Sequence, residues 1–477
     1  FQLGGDSIRT MQLQHACADL SLGAVTIYQH RTPRLLAEVA ENQIKEKGGS
    51  VIEDASGADK NIHDESKHVA LSPTQLSLWM DCIKSKDLSR QYNVPLLMRI
   101  TKDSFTPGVE MRDVVENLKK IIQLHIQHND AFRSSFPLDD TGQPFLQVTP
   151  YSEDETILTV ESIPEQELEK RILAETLINF DLVEGPLHAP HVYCLEETQD
   201  VVLLWVIHHL ATDGWSCEMI EDNIYQYLWH GKEPEWSDWS YLDYTVEENK
   251  LRKSEVFKKR TAFWHEHLKG CSNVTLPAAG QDSRKGKRLF YPLPADTEER
   301  LHRFSQLHNV GSFSTIYAVF QSLIHRYSAE TDFITIFPTA NRSMMETANM
   351  CGYCVHPLPM KFEGAWRELS WGELAQKVSE EVLRLMSNLL AVHEIIQAVD
   401  GMSRPNICFV WERRWASFEV QQEDLICEFD LTFHEQYDEK QKWNLMIEYN
   451  SERFDAAFIR SFADAYVTLL LSLESTQ

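Results

Sequence analysis

The sequence predicts an α/β fold, and three segments carry that prediction. Val201 to Ile207 is an unbroken apolar run, rich in Val and Leu, of the length of a buried central strand. Phe333 to Phe337, ending at Pro338, is a second such strand. Asp113 to His128 instead spaces Val114, Leu118, Ile122 and Leu124 as an amphipathic helix does. From Val69 onward strand-like and helix-like segments alternate without an internal repeat, which is the pattern of α/β architecture.

The elements follow in order. At 477 residues the chain exceeds one ordinary core, so two or three compact units are expected. The first is short and helical. Residues 7–20 recur at helical spacing through Leu13, Cys17 and Leu20. Thr32-Pro33 is a good N-cap and first-turn pair for a second helix through Leu36, Val39 and Ala40. From Glu46 to His68, Gly48-Gly49-Ser50, Ala55-Ser56-Gly57 and mixed charges leave little to bury, so this stretch is a linker. Near the other end, Trp371 to Leu390 and Ala456 to Leu473 have the pattern of long helices.

Composition excludes several classes. With 43% hydrophobic and 25% charged residues the chain matches a soluble globular protein. A formal net charge of −27 argues against a nucleic-acid partner, because phosphate contact needs clustered Lys and Arg. The nine cysteines, scattered from Cys17 to Cys427, fit reduced thiols better than a disulfide framework. No run of about 18 apolar residues is present, so no membrane span is expected. Phe1-Gln2-Leu3-Gly4-Gly5 is not a signal peptide, and a cytoplasmic location is the expectation.

The stretch richest in chemistry is Val206-Ile207-His208-His209-Leu210-Ala211-Thr212-Asp213-Gly214-Trp215-Ser216, at the end of the first buried strand. A strand end followed by a polar loop is where a sheet holds reactive groups in fixed positions. Adjacent residues on an extended backbone point to opposite sides, so only one of the two histidines faces a given cavity. A neutral imidazole accepts a proton from an attacking amine or hydroxyl. Asp213 is placed to hold the loop's shape, and Gly214 to allow a tight turn or a close approach of backbone to a reacting oxygen. No His or Cys pair at ligand spacing accompanies these histidines, so no metal site is expected.

The pattern His208-His209-x-x-x-Asp213-Gly214 resembles the signature of condensation domains of nonribosomal peptide synthetases, a superfamily with a chloramphenicol-acetyltransferase-like fold. Further segments share the resemblance in the right order over residues 69 to 475. Ser72-Pro73-Thr74-Gln75-Leu76-Ser77-Leu78-Trp79 is similar to the opening Ser-x-x-Gln-x-x-Leu-Trp, with Tyr92-Asn93-Val94-Pro95 following. Asp130-Ala131-Phe132-Arg133-Ser134-Ser135-Phe136 resembles Glu-x-Leu-Arg-Thr-x-Phe, and Tyr241-Leu242-Asp243-Tyr244 resembles Tyr-x-Asp-Tyr. Cys351-Gly352-Tyr353-Cys354-Val355-His356-Pro357-Leu358 resembles Ile-Gly-x-Phe-Val-Asn-x-Leu, with His356 where Asn is usual. Phe429-Asp430-Leu431 and Ile447-Glu448-Tyr449-Asn450 resemble the closing strands. Ala340-Asn341-Arg342-Ser343 stands for a segment that normally carries Gly-Arg; by resemblance Arg342 is the ion-pair partner of Asp213.

The resemblance implies two lobes, 69–245 and 246–477, forming a V around a central tunnel. It also implies a partial helical carrier domain over 1–46 and a linker over 47–68. Leu3-Gly4-Gly5-Asp6-Ser7-Ile8 is similar to a carrier attachment motif, with Ser7 bearing 4′-phosphopantetheine. The implied partners are an upstream donor carrier and a downstream acceptor carrier, itself bearing 4′-phosphopantetheine, and the substrates are peptidyl or aminoacyl thioesters. The implied reaction is attack of the acceptor amine on the donor thioester carbonyl. His209 is the expected catalytic residue, with His208, Asp213, Gly214 and Arg342 in support. His356 is expected to tune the tunnel or the substrate.

Three other readings stay open. An epimerization domain shares the His-His core and often follows Gly-Gly-Asp-Ser-Ile, but Glu363-Gly364-Ala365-Trp366 is a poor stand-in for its Glu-Gly-His-Gly-Arg element. A chain-terminating domain that cyclises its peptide resembles this sequence, although His208 argues against it and the end at Gln477 argues for it. A non-catalytic recruitment domain is disfavoured by the intact His209. Cys351-x-x-Cys354 has redox or zinc spacing without a second pair, so chance explains it. Trp229, Trp236 and Trp239 are expected to pack and not to stack on ligand.

Overall fold

The structure is a computed structural model describing residues 32–46, 69–84, 86–153, 158–277, 284–328, 330–342, 344–411, 425–437 and 443–474. The helix expected over 7–20, Ser7 with its motif, and the linker over 47–68 lie outside the described residues. The second expected helix is present as Pro33–Glu46. Thr32 caps it as its side chain allows: its carbonyl accepts from Leu36 N–H at 3.0 Å and its Oγ1 from Leu35 N–H at 3.3 Å.

The first half of the chain builds β1 (Val69–Ala70), β2 (Asn93–Ile100), β3 (Ser134–Ser135), β4 (Phe145–Val148), β5 (Thr159–Ile163), β6 (His188–Leu195) and β7 (Val201–His208). A small sheet runs β1-β4-β3, and a larger one runs β2-β7-β6-β5. The predicted strand is β7, an inner strand with every residue buried. Its lack of alternation has a direct cause: both faces are covered. Val201, Leu203, Trp205 and Ile207 pack with Leu118 and Ile220 from the helices Met111–His128 and Gly214–His230. Val202, Leu204 and Val206 pack with Leu168 and Ile172 of the helix Glu165–Thr176. Each such side chain contributes about 2 kcal/mol by leaving water.

The second half builds β8 (Ser272–Asn273), β9 (Gly286–Pro292), β10 (Phe333–Thr339), β11 (His356–Phe362), β12 (Ile407–Trp411), β13 (Leu431–Tyr437) and β14 (Trp443–Asn450). They form a sheet in the order β11-β10-β12-β13-β14-β9, with β8 paired to β10. The second predicted strand is β10, also internal. One face of this sheet is apolar: Phe409, Phe433 and Ile447 pack with Phe320 and Phe462 of the helices Ser312–Tyr327 and Ala456–Leu471.

Helix ends differ from expectation by a few residues. The helix from Trp371 stops at Met386, four residues before Leu390. Ser387 Oγ donates to the Leu383 carbonyl and Asn388 Nδ2 to the Arg384 carbonyl, offering the last turn partners other than further helix. The final helix ends at Leu471 and continues as a 3₁₀ turn, Ser472–Glu474. Among the described residues no helix is long and apolar enough to cross a membrane.

Buried apolar residues fall into two large clusters. One holds Leu71 through Tyr244 and is rejoined by Met350, Cys351 and Cys354; the other runs from Trp264 to Leu473. The chain therefore returns to the first core at residues 350–354, and that return shapes the site.

Candidate active site

Strand β7 ends where its backbone bonds run out. His208 N–H donates to the Leu187 carbonyl at 2.8 Å and His209 N–H to the Tyr92 carbonyl at 2.7 Å, after which His209–Ala211 forms a 3₁₀ turn. The two side chains diverge as an extended backbone requires. His208 is fully buried; its Nδ1 accepts from Leu210 N–H at 3.2 Å, and its Nε2 lies 3.4 Å from Ser89 Oγ and 3.8 Å from Cys82 Sγ. Burial, and then the neighbouring His209, hold the His208 imidazole down at about 3, so it is neutral and structural.

His209 is only half-buried. Its Nδ1 is 2.7 Å from the Thr212 carbonyl, which only accepts, so Nδ1 carries the proton and Nε2 is the basic nitrogen. Among the described residues none hydrogen-bonds Nε2. The edge of the Tyr353 ring packs against the imidazole with centroids 5.0 Å apart, fixing its plane.

Asp213 is the N-cap of the helix Gly214–His230, accepting from Ser216 N–H at 2.8 Å and Ser216 Oγ at 2.7 Å. Both of its oxygens lie 2.9 Å from Arg342 Nη2. Arg342 is itself fully buried and spends Nη1 on the Thr347 and Met350 carbonyls at 2.7 and 2.6 Å. Burial works against its charge, but Asp213 outweighs that and raises its pKa further. Cys354 N–H completes the cluster on Asp213 at 3.1 Å. The pair thus stitches the histidine loop to residues 342–354, and neither side chain reaches the cavity.

That cavity, about 340 Å³, lies between the two sheets and is lined by His209 and Gly214. From the side of the first sheet come apolar groups, among them Leu88, Val94, Pro95, Leu97, Ile172 and Leu173. From the second sheet come Arg288, Thr432, His434 and Glu448. Arg404 joins the two sides, donating to Asp81 at 3.1 Å and to Glu428.

Residues 65–397 match the family model of the condensation domain. The chain belongs to the condensation-domain family. Malpinin synthetase of Mortierella alpina is 24% identical over 507 residues, 99% of this chain, which spans 6% of that relative's length. The dimodular nonribosomal peptide synthase of Bacillus subtilis is 23% identical over 407 residues, 81% of this chain and 16% of that relative. The first condensation domain of the calcium-dependent antibiotic synthetase superposes with a TM-score of 0.71 at 15% identity, covering 87% of this chain and 97% of that one. The epimerization domain from the third module of tyrocidine synthetase B does so with a TM-score of 0.69 at 17% identity, covering 85% and 97%. At such identities the likeness is one of fold, shared by domains of different chemistry.

Within this condensation domain, the resembling segments buttress the histidine loop. Gln75 Oε1 accepts from Ser72 N–H at 2.7 Å while its Nε2 donates to Thr245 Oγ1 at 2.8 Å. Asp130 accepts from Tyr241 N–H at 2.6 Å and Leu242 N–H at 3.1 Å, and Tyr241 OH donates to the Leu210 carbonyl at 3.0 Å. These contacts give the polar residues of those segments a positioning role that spacing alone did not reveal.

Two expectations are corrected. Gly214 has an ordinary backbone and sits in the first helical turn; a Cβ there meets nothing within 4 Å, so no tight turn demands glycine. His356 does not face the cavity. Its neighbours Val355 and Pro357 do, and strand alternation turns His356 toward Glu248, with Nε2 3.5 Å from the carboxylate. Burial opposes ionisation of Glu248, yet His356 and Arg252 prevail and hold its carboxyl down at about 2. The glycine whose conformation matters is Gly352, at φ 151°, where a Cβ would lie 2.3 Å from the Tyr241 ring. The Cys351 and Cys354 thiols are buried and unbridged, and burial pushes both up. Trp236 stacks on His128 at 4.5 Å, Trp229 donates to the Ser104 carbonyl at 3.2 Å, and Trp239 N–H donates to Ser237 Oγ at 2.9 Å.

Proposed function

We propose that this domain forms an amide bond between a carrier-bound acyl thioester and an acceptor amine within a nonribosomal peptide synthetase. The observation that carries the reading is His209: a half-buried imidazole on the cavity wall, its tautomer set by Thr212, its Nε2 unengaged. The amine nitrogen attacks the thioester carbonyl carbon and the C–S bond breaks. The nitrogen's surplus proton passes to His209 Nε2, and the departing thiolate takes up a proton as thiol. An α-amino group titrates near 8, so much of the barrier is orientation rather than proton removal.

4′-Phosphopantetheine, on Ser7 of the carrier remnant over 1–46 and on an acceptor carrier, supplies the thiols that hold the substrates as thioesters. The residues present suit such an arm: Gly214 is exposed at the wall, and a Cβ there would project into open space. The two buried clusters support assigning 69–245 and 246–477 to two lobes of the chloramphenicol-acetyltransferase type, with the cavity as the tunnel between them. Carrier domains as partners are what this chemistry requires, and a cytoplasmic synthetase is the setting proposed for it.

The test is mass spectrometry of the domain supplied with loaded donor and candidate acceptor carriers. An amide product joined from both supports the reading. A cyclic product released from the donor alone, or exchange of the donor α-hydrogen for deuterium without coupling, replaces it with the cyclising or epimerising reaction. No chemistry at all from loaded partners leaves a recruitment role.

A further inference from the structure

Resting on the reaction just proposed, we infer that Arg288, Thr432, His434 and Glu448 form a substrate side-chain subsite selecting a neutral hydrogen-bonding group, a hydroxyl or carboxamide, over an apolar group of the same shape. The placement follows from strand alternation. Along β13, Leu431, Phe433 and Glu435 turn away from the cavity, whereas Thr432 and His434 face it. Register then sets Thr432, Glu448 and Arg288 side by side across β13, β14 and β9, with His434 beside Met446 in the next row.

Pocket linings are mostly apolar, with a few polar groups that fix a ligand's orientation, and a polar group set in one is costly unless it finds a partner. Two of the four partner each other: Arg288 Nη2 lies 3.0 Å and Nε 3.1 Å from Glu448 Oε2, so the patch carries no net charge. The other two wait for a partner. Among the described residues neither the Thr432 hydroxyl nor the His434 imidazole makes a hydrogen bond. Burial, and then Arg288, hold His434 down at about 3, so it presents one donor and one acceptor and no charge. The other charged lining groups are engaged elsewhere, Asp81 and Glu428 by Arg404 and Arg90 by Asp87. A balanced patch disfavours an ionised side chain. A neutral group that both gives and accepts hydrogen bonds satisfies it, while the apolar side of the cavity holds its aliphatic part.

The experiment is a competition in one vessel between isosteric aminoacyl thioesters, threonyl against valyl and asparaginyl against leucyl, read as a product ratio by mass spectrometry. In the wild type the hydroxyl or carboxamide member is favoured by about tenfold or more. In His434→Leu and Thr432→Val the ratio falls toward one, and His434→Gln restores it. Being a ratio, it is insensitive to a loss of folded protein, and two variants guard against a misfolded one. A wild-type ratio near one for both pairs, or a ratio unmoved in both variants, overturns the subsite. If no amide forms from any pair, the reaction itself fails and binding decides the subsite. Pantetheine thioesters of the same pairs are then titrated against the domain. A tenfold difference in Kd abolished by His434→Leu supports it, and equal Kd values overturn it.

Discussion

Of two adjacent histidines, one is sealed among Ser89 and Cys82 and the other opens on the cavity. That division was legible in the sequence, because neighbours on a strand must point apart and an apolar strand end leaves one of them in the core. The Asp213–Arg342 pair, 129 residues apart, was accessible only through resemblance, since no local pattern announces so distant a contact. Its energetics yield a prediction. Asp213→Asn removes the charge that balances a fully buried guanidinium, which costs about 3–5 kcal/mol. Urea unfolding checks this as a lowered midpoint. A variant as stable as the wild type but inactive would instead give Asp213 a chemical role. His434 was not legible at all, because a lone histidine in a strand gives no sign of which face meets a cavity formed by another part of the chain.

At the scale of elements, β7 was legible because a strand covered on both faces demands a continuous apolar run, and β10 because apolar residues flank its one polar residue, Thr335. Their extents were less so. The helix from Trp371 looked longer because Leu389 and Leu390 continue its apolar pattern, but Ser387 and Asn388 end it by bonding back to the last turn. The return segment 350–354 was visible only as a motif, and nothing local to it shows that the Tyr241 ring, 111 residues earlier in the chain, presses on its glycine. Gly352→Ala forces a Cβ to within 2.3 Å of the Tyr241 ring in a backbone region that side chains avoid. A loss of about 2–4 kcal/mol follows, read as a lower thermal midpoint; an unchanged midpoint would mean that Tyr241 moves freely.

The layer between the second sheet and the helix Ala456–Leu471 holds a buried acid. Burial pushes the Glu435 carboxyl up to about 8, against a hydrogen bond from Tyr466 that pulls it down. Its unfolded value is about 4.3. Between these values the folded chain keeps a proton that the unfolded chain releases. Stability from this group is therefore present below about pH 4.3 and is lost as pH rises to about 8. Glu435→Gln removes the loss, so its advantage over wild type in urea unfolding grows by a few kcal/mol from pH 5 to pH 8. An advantage independent of pH would contradict the assignment.

Across the whole molecule, two cores with different sheets share one cavity, and beside the apolar return of Met350, Cys351 and Cys354 the contacts joining them include polar ones. Arg342 reaches Asp213, Arg404 reaches Asp81, and the Trp215 indole donates to the Ala348 carbonyl at 2.8 Å. Chain length led to the expectation of more than one unit, but it held no information on such contacts, because they pair residues far apart in the chain. In the proposed reaction the cavity they enclose acts through His209, which lines it. The most direct measurement of that claim compares wild type with His209→Ala, each given loaded donor and acceptor carriers, with the amide product quantified by mass spectrometry. Product from the wild type and its near-complete loss in a folded His209→Ala is the predicted result. Turnover close to wild type in His209→Ala would contradict it.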